Sequence, residues 1–344
     1  MIAACARAPA ELPREPDRIA IVVAERGTHG VHLIAIDEAG DRMLELVQPT
    51  PELGRDTNPA ISPDGKWLVF ARGRGSGATI DETKLWIAPV APEAIAAPLT
   101  AAAGIETNPT WTRDGSAVVF ASTGSAGEYD LYELPIANGH ATGAPARLTS
   151  SPAHEVTPSV AADGTIVYAA LTTGSGGAIE SHLEARAPDG AITKLSDGPL
   201  DAAPAISPDG TRIAFARLVV HRTLRDGDLF VMSRDGGSAH VLVDLPLTDE
   251  SGPVWSRDGR FVLATSLLRG AAGDVVFASV IAVDTRAAEP TARMLVDRTG
   301  AVPRFTPAIA SAALDGSALD RDPEYLPELA RITAQAIVNA GSAL

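Results

Sequence analysis

The stretch TNPAISPDGKWLVFAR, from Thr57 to Arg72, is the first of a series. It returns as TNPTWTRDGSAVVFAS from Thr107, AAPAISPDGTRIAFAR from Ala202 and SGPVWSRDGRFVLATS from Ser251. A looser copy, VTPSVAADGTIVYAAL, starts at Val156. Aligned on their proline, the copies fall at Pro59, Pro109, Pro158, Pro204 and Pro253, and a sixth begins at Pro303. Five residues after each of the first five prolines stands the aspartate of an Asp-Gly pair: Asp64, Asp114, Asp163, Asp209 and Asp258. Asp-Gly marks a tight turn, because glycine accepts a positive φ and the aspartate side chain bonds nearby backbone. A β-branched and aromatic run follows each turn (WLVFA, AVVFA, TIVYA, RIAFA, FVLAT), then a loop, a third run such as KLWIAPV or DLYELPI, and a short ending such as APLT or ARLT.

Four short strands per unit, at a period of about 45 residues, fit a β-propeller blade. A helical repeat is excluded, since an Asp-Gly turn interrupts every unit and the runs are too short for a 3.6-residue period. The sixth copy opens with PRFT but carries Ala308 where the turn aspartate belongs. Its missing strands are matched at the other end of the chain by DRIAIVVAE (Asp17 to Glu25), VHLIAID (Val31 to Asp37) and RMLELV (Arg42 to Val47). The expected fold is therefore all-β: a six-bladed propeller of four-stranded blades. N-terminal strands pairing with the C-terminal innermost strand would close it and leave no open edge. Residues 1–16 read as a tether, 17–307 as the propeller and 308–344 as a C-terminal extension. In the extension, Leu326, Leu329, Ile332, Ala336 and Ile337 give a helix one apolar face.

The pattern of proline, any one residue, Ile or Trp, then Ser-Pro-Asp-Gly and an apolar strand resembles the WD40-like repeat of TolB-type propellers; SPDGKWLVFA, SPDGTRIAFA and DLFVMSRDGGSAHVLV carry the resemblance. It implies a six-bladed propeller of the bacterial cell envelope that serves as a binding module. TolB also has an α/β domain ahead of its propeller, whereas a short tether precedes the first strand here, so TolB's own partners do not carry over. Near the start, IAAC (Ile2 to Cys5) resembles the end of a bacterial lipoprotein signal, with a polar Pro-containing tether behind it. Cys5 is the one cysteine in the chain and the expected lipidation site, in which case the charged and apolar parts of the signal precede Met1. The expected location is the periplasm or the outer membrane, with membrane contact only through that lipid.

Composition narrows the partners. Lys plus Arg is 28 against 43 Asp plus Glu, a formal net charge of −15, which repels phosphate backbones and argues against nucleic acid. No apolar run approaches the ~18 residues of a membrane span. Three residues before the proline stands an acid in five of six copies: Asp56, Glu106, Glu155, Asp201 and Glu250, with Gly300 in the sixth. On a propeller these residues approach the innermost strand, so they form a broken ring at one mouth of the channel. Close carboxylates repel one another unless they are hydrogen bonded, protonated or countered by a cation. Two readings follow. As a binding surface, the ring would receive a cationic peptide end, a Lys or Arg side chain or a hard ion such as Ca²⁺. As a structural device, each acid would bond the backbone of its own connecting loop.

A catalytic constellation does not emerge. There is no G-x-S-x-G, and GGSAH (Gly236 to His240) ends in His and falls in a hairpin turn. The seven histidines are scattered, and the close pair His29 and His32 reads as polar surface. Asp320, Asp322 and Glu324 lack EF-hand spacing. The Gly-rich stretches RGRGSGAT, STGSAGEY and TTGSGGAIE do not end in Gly-Lys-Ser/Thr and read as blade loops on the acidic face. The favoured function is a monomeric, non-catalytic envelope propeller without a resident cofactor, binding a protein or peptide at its acidic channel mouth and loop-rich face. The alternative is a propeller-based hydrolase or lyase with a metal at that mouth, favoured if His140, His154 or His221 gathered beside the acids.

Overall fold

A computed structural model describes residues 17–25, 28–36, 43–47, 55–73, 83–90, 94–101, 103–124, 127–174, 178–198, 200–221, 224–245, 248–269, 275–287 and 290–294. The chain opens with β1 (Asp17–Glu25), β2 (Thr28–Ile36) and β3 (Met43–Val47), an antiparallel meander. The first blade is β4 (Arg55–Ile61), β5 (Trp67–Gly73), β6 (Thr83–Pro89) and β7 (Ala97–Pro98). In the second, β8 (Glu106–Trp111), β9 (Ala117–Ser122) and β10 (Asp130–Ala137) carry two short outer pieces, β11 (His140–Ala141) and β12 (Ala146–Arg147). The third is β13 (His154–Val160), β14 (Ile166–Thr173), β15 (Ile179–Arg186) and β16 (Ile192–Lys194). The fourth is β17 (Asp201–Ile206), β18 (Arg212–His221), β19 (Leu224–Ser233) and β20 (His240–Val243). The fifth is β21 (Thr248–Trp255), β22 (Phe261–Arg269), β23 (Val275–Asp284) and β24 (Ala292–Met294).

The fold is an all-β propeller of five blades, which corrects the expected six. The three N-terminal strands form the meander expected of them but stand in no blade of their own. One parallel pair, His29 with Arg55, joins β2 to β4 and makes a seven-stranded sheet with the first blade. The closing strand expected at Pro303 and the expected C-terminal helix lie outside the described residues, and no helix occurs among the described residues. The physical reason for five blades lies in the pair of His29 with Arg55, which bonds β2 to the first inner strand, so that β1–β3 extend the first sheet rather than build a sixth.

The turns form as the sequence predicts. Asp64, Asp114, Asp209 and Asp258 each accept a hydrogen bond from a Ser or Thr hydroxyl two residues earlier, at 2.6–2.7 Å. Each also accepts one from the backbone N–H two residues later, as does Asp163. These bonds hold the Asp64, Asp114, Asp163 and Asp209 carboxyls below the usual carboxylate range.

The proline in mid-strand has a different solution. Proline cannot donate to a β-ladder, so it survives there only at an edge or a bulge. Each inner strand carries a bulge at this point, between Thr57 and Ala60, Thr107 and Thr110, Val156 and Ser159, Ala202 and Ala205, and Ser251 and Val254. The proline and the residue before it together face one residue of the second strand, which is Phe70, Phe120, Tyr168, Phe215 or Ala264. The four aromatics are fully buried and form the inner part of the core. The residue before each proline is left-handed: Asn58 (φ 54°), Asn108 (52°), Thr157 (53°), Ala203 (49°) and Gly252 (59°). Asn and Gly tolerate this conformation, whereas Thr and Ala are strained by their Cβ. Ala203→Gly should therefore raise stability by about 0.5–1 kcal/mol, the relief of the left-handed strain less the extra chain entropy of glycine. A urea midpoint that falls instead would show that Ala203 packing outweighs the strain.

Candidate functional site

The five inner strands surround a cavity of about 150 Å³, lined by Pro59, Pro109, Pro158, Pro204 and Pro253 together with small and hydroxyl residues beside them. This is the central channel. Neighbouring inner strands are tied across it. The Thr107 hydroxyl donates to Asn58 Oδ1 (2.9 Å), the Ile206 N–H to Ser159 Oγ (3.0 Å), and the Trp111 and Trp255 indoles to the carbonyls of Ala60 and Ala205 (3.1 and 2.9 Å).

The five acids lie at or near the first residue of these strands, one per blade, and so share a layer around the channel. Their side chains do not project into solvent: Asp56, Glu155, Asp201 and Glu250 are 0% exposed and Glu106 is 1% exposed. What holds each one depends on the residue directly opposite on the second strand, which is Arg72, Ser122, Ala170, Arg217 or Ser266 in chain order. Aspartate faces arginine, and glutamate faces a small residue.

In the first and fourth blades the arginine grips the aspartate with two nitrogens. Arg72 Nε and Nη2 donate to Asp56 at 2.6 and 2.9 Å, and Arg217 Nε and Nη2 donate to Asp201 at 2.6 and 2.8 Å. Both guanidinium groups also lie on aromatic rings, Arg72 on Phe70 and Trp86, Arg217 on Phe215 and Phe230. The bond to Asp201 raises the pKa of Arg217 further.

The glutamates of the other three blades are held in different ways, and only Glu106 bonds to the preceding blade. Glu106 accepts from the Thr100 hydroxyl and from the Leu85 N–H (3.3 Å), both in the first blade. Burial raises its pKa, and the Thr100 hydroxyl opposes that shift. Glu250 accepts from the Ser266 hydroxyl (2.9 Å), while its second oxygen is buried without a hydrogen bond. Burial pushes its pKa up to about 7, the Thr248 and Ser266 hydroxyls pull it back, and the Asp228 charge adds to the rise. Neither oxygen of Glu155 makes a hydrogen bond, and burial raises its pKa as well.

Backbone seams run through the same layer. Glu106 O accepts from the Thr83 hydroxyl (2.8 Å), Asp201 O from the Ser181 hydroxyl (2.7 Å), and Tyr129 O from the Glu155 N–H (2.7 Å). The Leu-Thr or Leu-Ser that ends a blade takes part too: Thr100, Thr149 and Ser196 accept from the N–H of Leu85, Leu131 and Leu183. These hydroxyls and the two arginines were not singled out in the sequence. Their signal was present, as an arginine 16 residues after each aspartate of the layer and a Leu-Thr or Leu-Ser a few residues before the acid.

Of the histidines, His154 comes nearest the layer. Its Nδ1 accepts from the Tyr129 N–H (3.3 Å), its ring stands edge-on to Tyr129, and burial lowers its pKa. His140 is exposed on β11. His29 and His32 lie within β2 rather than in a turn. Among the described residues, no three His, Cys, Asp or Glu side chains converge as a metal site. Cys5, the acids at 320, 322 and 324, and most of the first Gly-rich loop lie outside the described residues.

A sequence profile described as the TolB beta propeller domain matches residues 78–259, over half of the chain. No curated protein matches. In structure the chain is similar to a putative TolB from Agrobacterium tumefaciens, with a TM-score of 0.57 and 18% identity over 81% of this chain and 89% of that one. It is also similar to TolB from Acinetobacter baumannii (TM-score 0.55, 16% identity, 80% of this chain and 65% of that one). A third similar structure is the hydrazine synthase of Kuenenia stuttgartiensis (TM-score 0.61, 15% identity, 83% and 46%). At these identities the likeness is one of fold.

Two outcomes follow from the acid layer. Arg72→Met should cost about 3–5 kcal/mol in urea unfolding, because it strands a buried charge on Asp56. Asp56→Asn in the same chain should recover much of that loss, because the stranded charge goes with it. The second concerns pH. The pKa of Glu250 is higher in the folded state than its ordinary 4.5, so its contribution is fully present below about 4.5 and is lost as pH rises through about 7. Native stability should thus fall by on the order of 2–3 kcal/mol between pH 5 and pH 8 from this group alone. Glu250→Gln should flatten that part of the profile; an unchanged slope would assign the pH dependence elsewhere.

Proposed function

The chain belongs to the TolB beta propeller family, and we propose that it is a non-catalytic propeller of the bacterial cell envelope that binds a protein or peptide at the channel face bearing the acid layer. The observation that carries this reading is the channel itself. Five inner strands line it with proline, small and hydroxyl side chains, and a layer of carboxylates stands behind them. A narrow channel with a negative surround suits a cationic chain end or a Lys or Arg side chain. Two of the five carboxylates are already neutralised by arginine, so the attraction comes chiefly from Glu106, Glu155 and Glu250 when they are ionised. The protein acts as a monomer, carried to the envelope by a lipid on Cys5. Labelled fatty acid should enter the native protein in a bacterial host and not Cys5→Ser.

Hydrolase or lyase chemistry is the second reading, and the half-buried His154 beside the buried Glu155 is the observation in its favour. The two readings part on one experiment. Ala60→Trp, a channel-lining change, should abolish capture of a defined envelope partner by cross-linking while melting stays within about 2 °C of native. Capture that survives a filled channel would move recognition off this face. Turnover of a peptide or sugar that is lost in His154→Ala would make the protein an enzyme.

A further inference from the structure

The five blades are five trials of one problem, a buried carboxylate at the start of the inner strand, and one trial lacks its answer. A guanidinium meets Asp56 and Asp201, a hydroxyl and a backbone N–H meet Glu106, and a hydroxyl meets Glu250. In the third blade the residue opposite Glu155 is Ala170, which has no polar atom, and both Glu155 oxygens are buried without a hydrogen bond. The Thr149 and Ser151 hydroxyls border the carboxylate without reaching hydrogen-bonding geometry.

The surroundings deepen the deficit. Asp130 of the second blade is 1% exposed; its Oδ2 is paired with Arg147 (2.6 Å), and its Oδ1 is buried without a hydrogen bond. The Asp130 and Glu184 carboxylates both act on Glu155 as like charges. Glu184 is held by the Tyr168 hydroxyl (2.8 Å) and His182 (2.9 Å). Three buried acceptor oxygens without hydrogen bonds thus stand at the junction of the second and third blades, and Arg147 acts on both carboxylates. Leaving such a group uncompensated costs several kcal/mol.

We propose that this junction is a cation site, in which Glu155 and Asp130 hold a Ca²⁺ ion between the second and third blades, where arginine serves in the first and fourth. The donors are all oxygen: both oxygens of Glu155, Oδ1 of Asp130 and the hydroxyls of Thr149 and Ser151. Such a set selects a hard cation over zinc or copper. Bound there, the ion joins two blades and has a structural role, and it leaves the negative surround of the channel to Glu106 and Glu250.

The test uses the full chain freed of metal with EDTA, then titrated with Ca²⁺ by calorimetry and followed by melting. One Ca²⁺ per chain is expected, with melting raised by roughly 3–6 °C at a hundredfold excess over Kd. Glu155→Gln and Asp130→Asn should each weaken binding at least tenfold. The double variant Glu155→Asp with Ala170→Arg installs the pair used in the first and fourth blades. It should melt near the Ca²⁺-loaded native protein and ignore added Ca²⁺. Ser266→Ala, within the fifth blade, should keep the full response. The proposal is overturned if native melting is the same in EDTA and Ca²⁺, or if the response persists in Glu155→Gln, Asp130→Asn and the double variant. Should one acid variant fail to fold, the other and the double variant decide.

Discussion

A proline that cannot donate a hydrogen bond stands in the middle of every inner strand, and the architecture is built around that defect. The bulge it forces gives two residues of the inner strand to one of the second, and that one residue is an aromatic in four blades of five. The bulge turns the strand while the ring fills the space beneath it, so the defect shapes both the channel wall and the core. The residue before the proline absorbs the conformational cost, easily where it is Asn or Gly and less so at Thr157 and Ala203. Strain of this kind lasts only where the surroundings over-determine it, and here the bonds between neighbouring inner strands do so.

The acid layer answers a second constraint. Blades pack face to face, so a carboxylate at the start of an inner strand is covered by the blade before it. Once covered, it must find a partner or stay protonated. Short aspartate with arginine opposite closes the problem within one blade. The longer Glu106 reaches back to the preceding blade's terminal hydroxyl and third-strand N–H, and so becomes a joint between blades. The same sequence position therefore stiffens a blade in two cases and links neighbours in another.

Much of this was legible. The spacing of proline and Asp-Gly pointed to an all-β propeller of repeated four-stranded blades, and the bonds from the turn aspartates to backbone are those expected of Asp-Gly. Blade number was not legible, because local pattern shows that a segment is a strand and not which sheet receives it. Asp17 to Val47 has the alternation of three outer strands, yet its place is decided by a single long-range pair, His29 with Arg55. The acids were legible as a layer but not as a buried one. Burial comes from the preceding blade, and a residue read at one position says nothing of the side chain opposite. Reading Asp56 with Arg72, and Glu155 with Ala170, would have separated the two kinds of blade from sequence alone.

That division constrains how such a repeat can diverge. Copying a blade carries its wiring with it, so a duplicated first blade arrives with its charge already balanced, whereas a duplicated second blade needs a neighbour ending in Thr100's hydroxyl. Passing from one wiring to the other by single steps means carrying either an aspartate with no arginine or a longer glutamate opposite an arginine through a buried layer. Blades of the self-contained kind can be moved, added or lost with little regard to order; blades of the linked kind are bound to their predecessor. The self-contained wiring stands in the first and fourth blades, and the chain's history of gain and loss should have broken most readily just before Asp56 and Asp201.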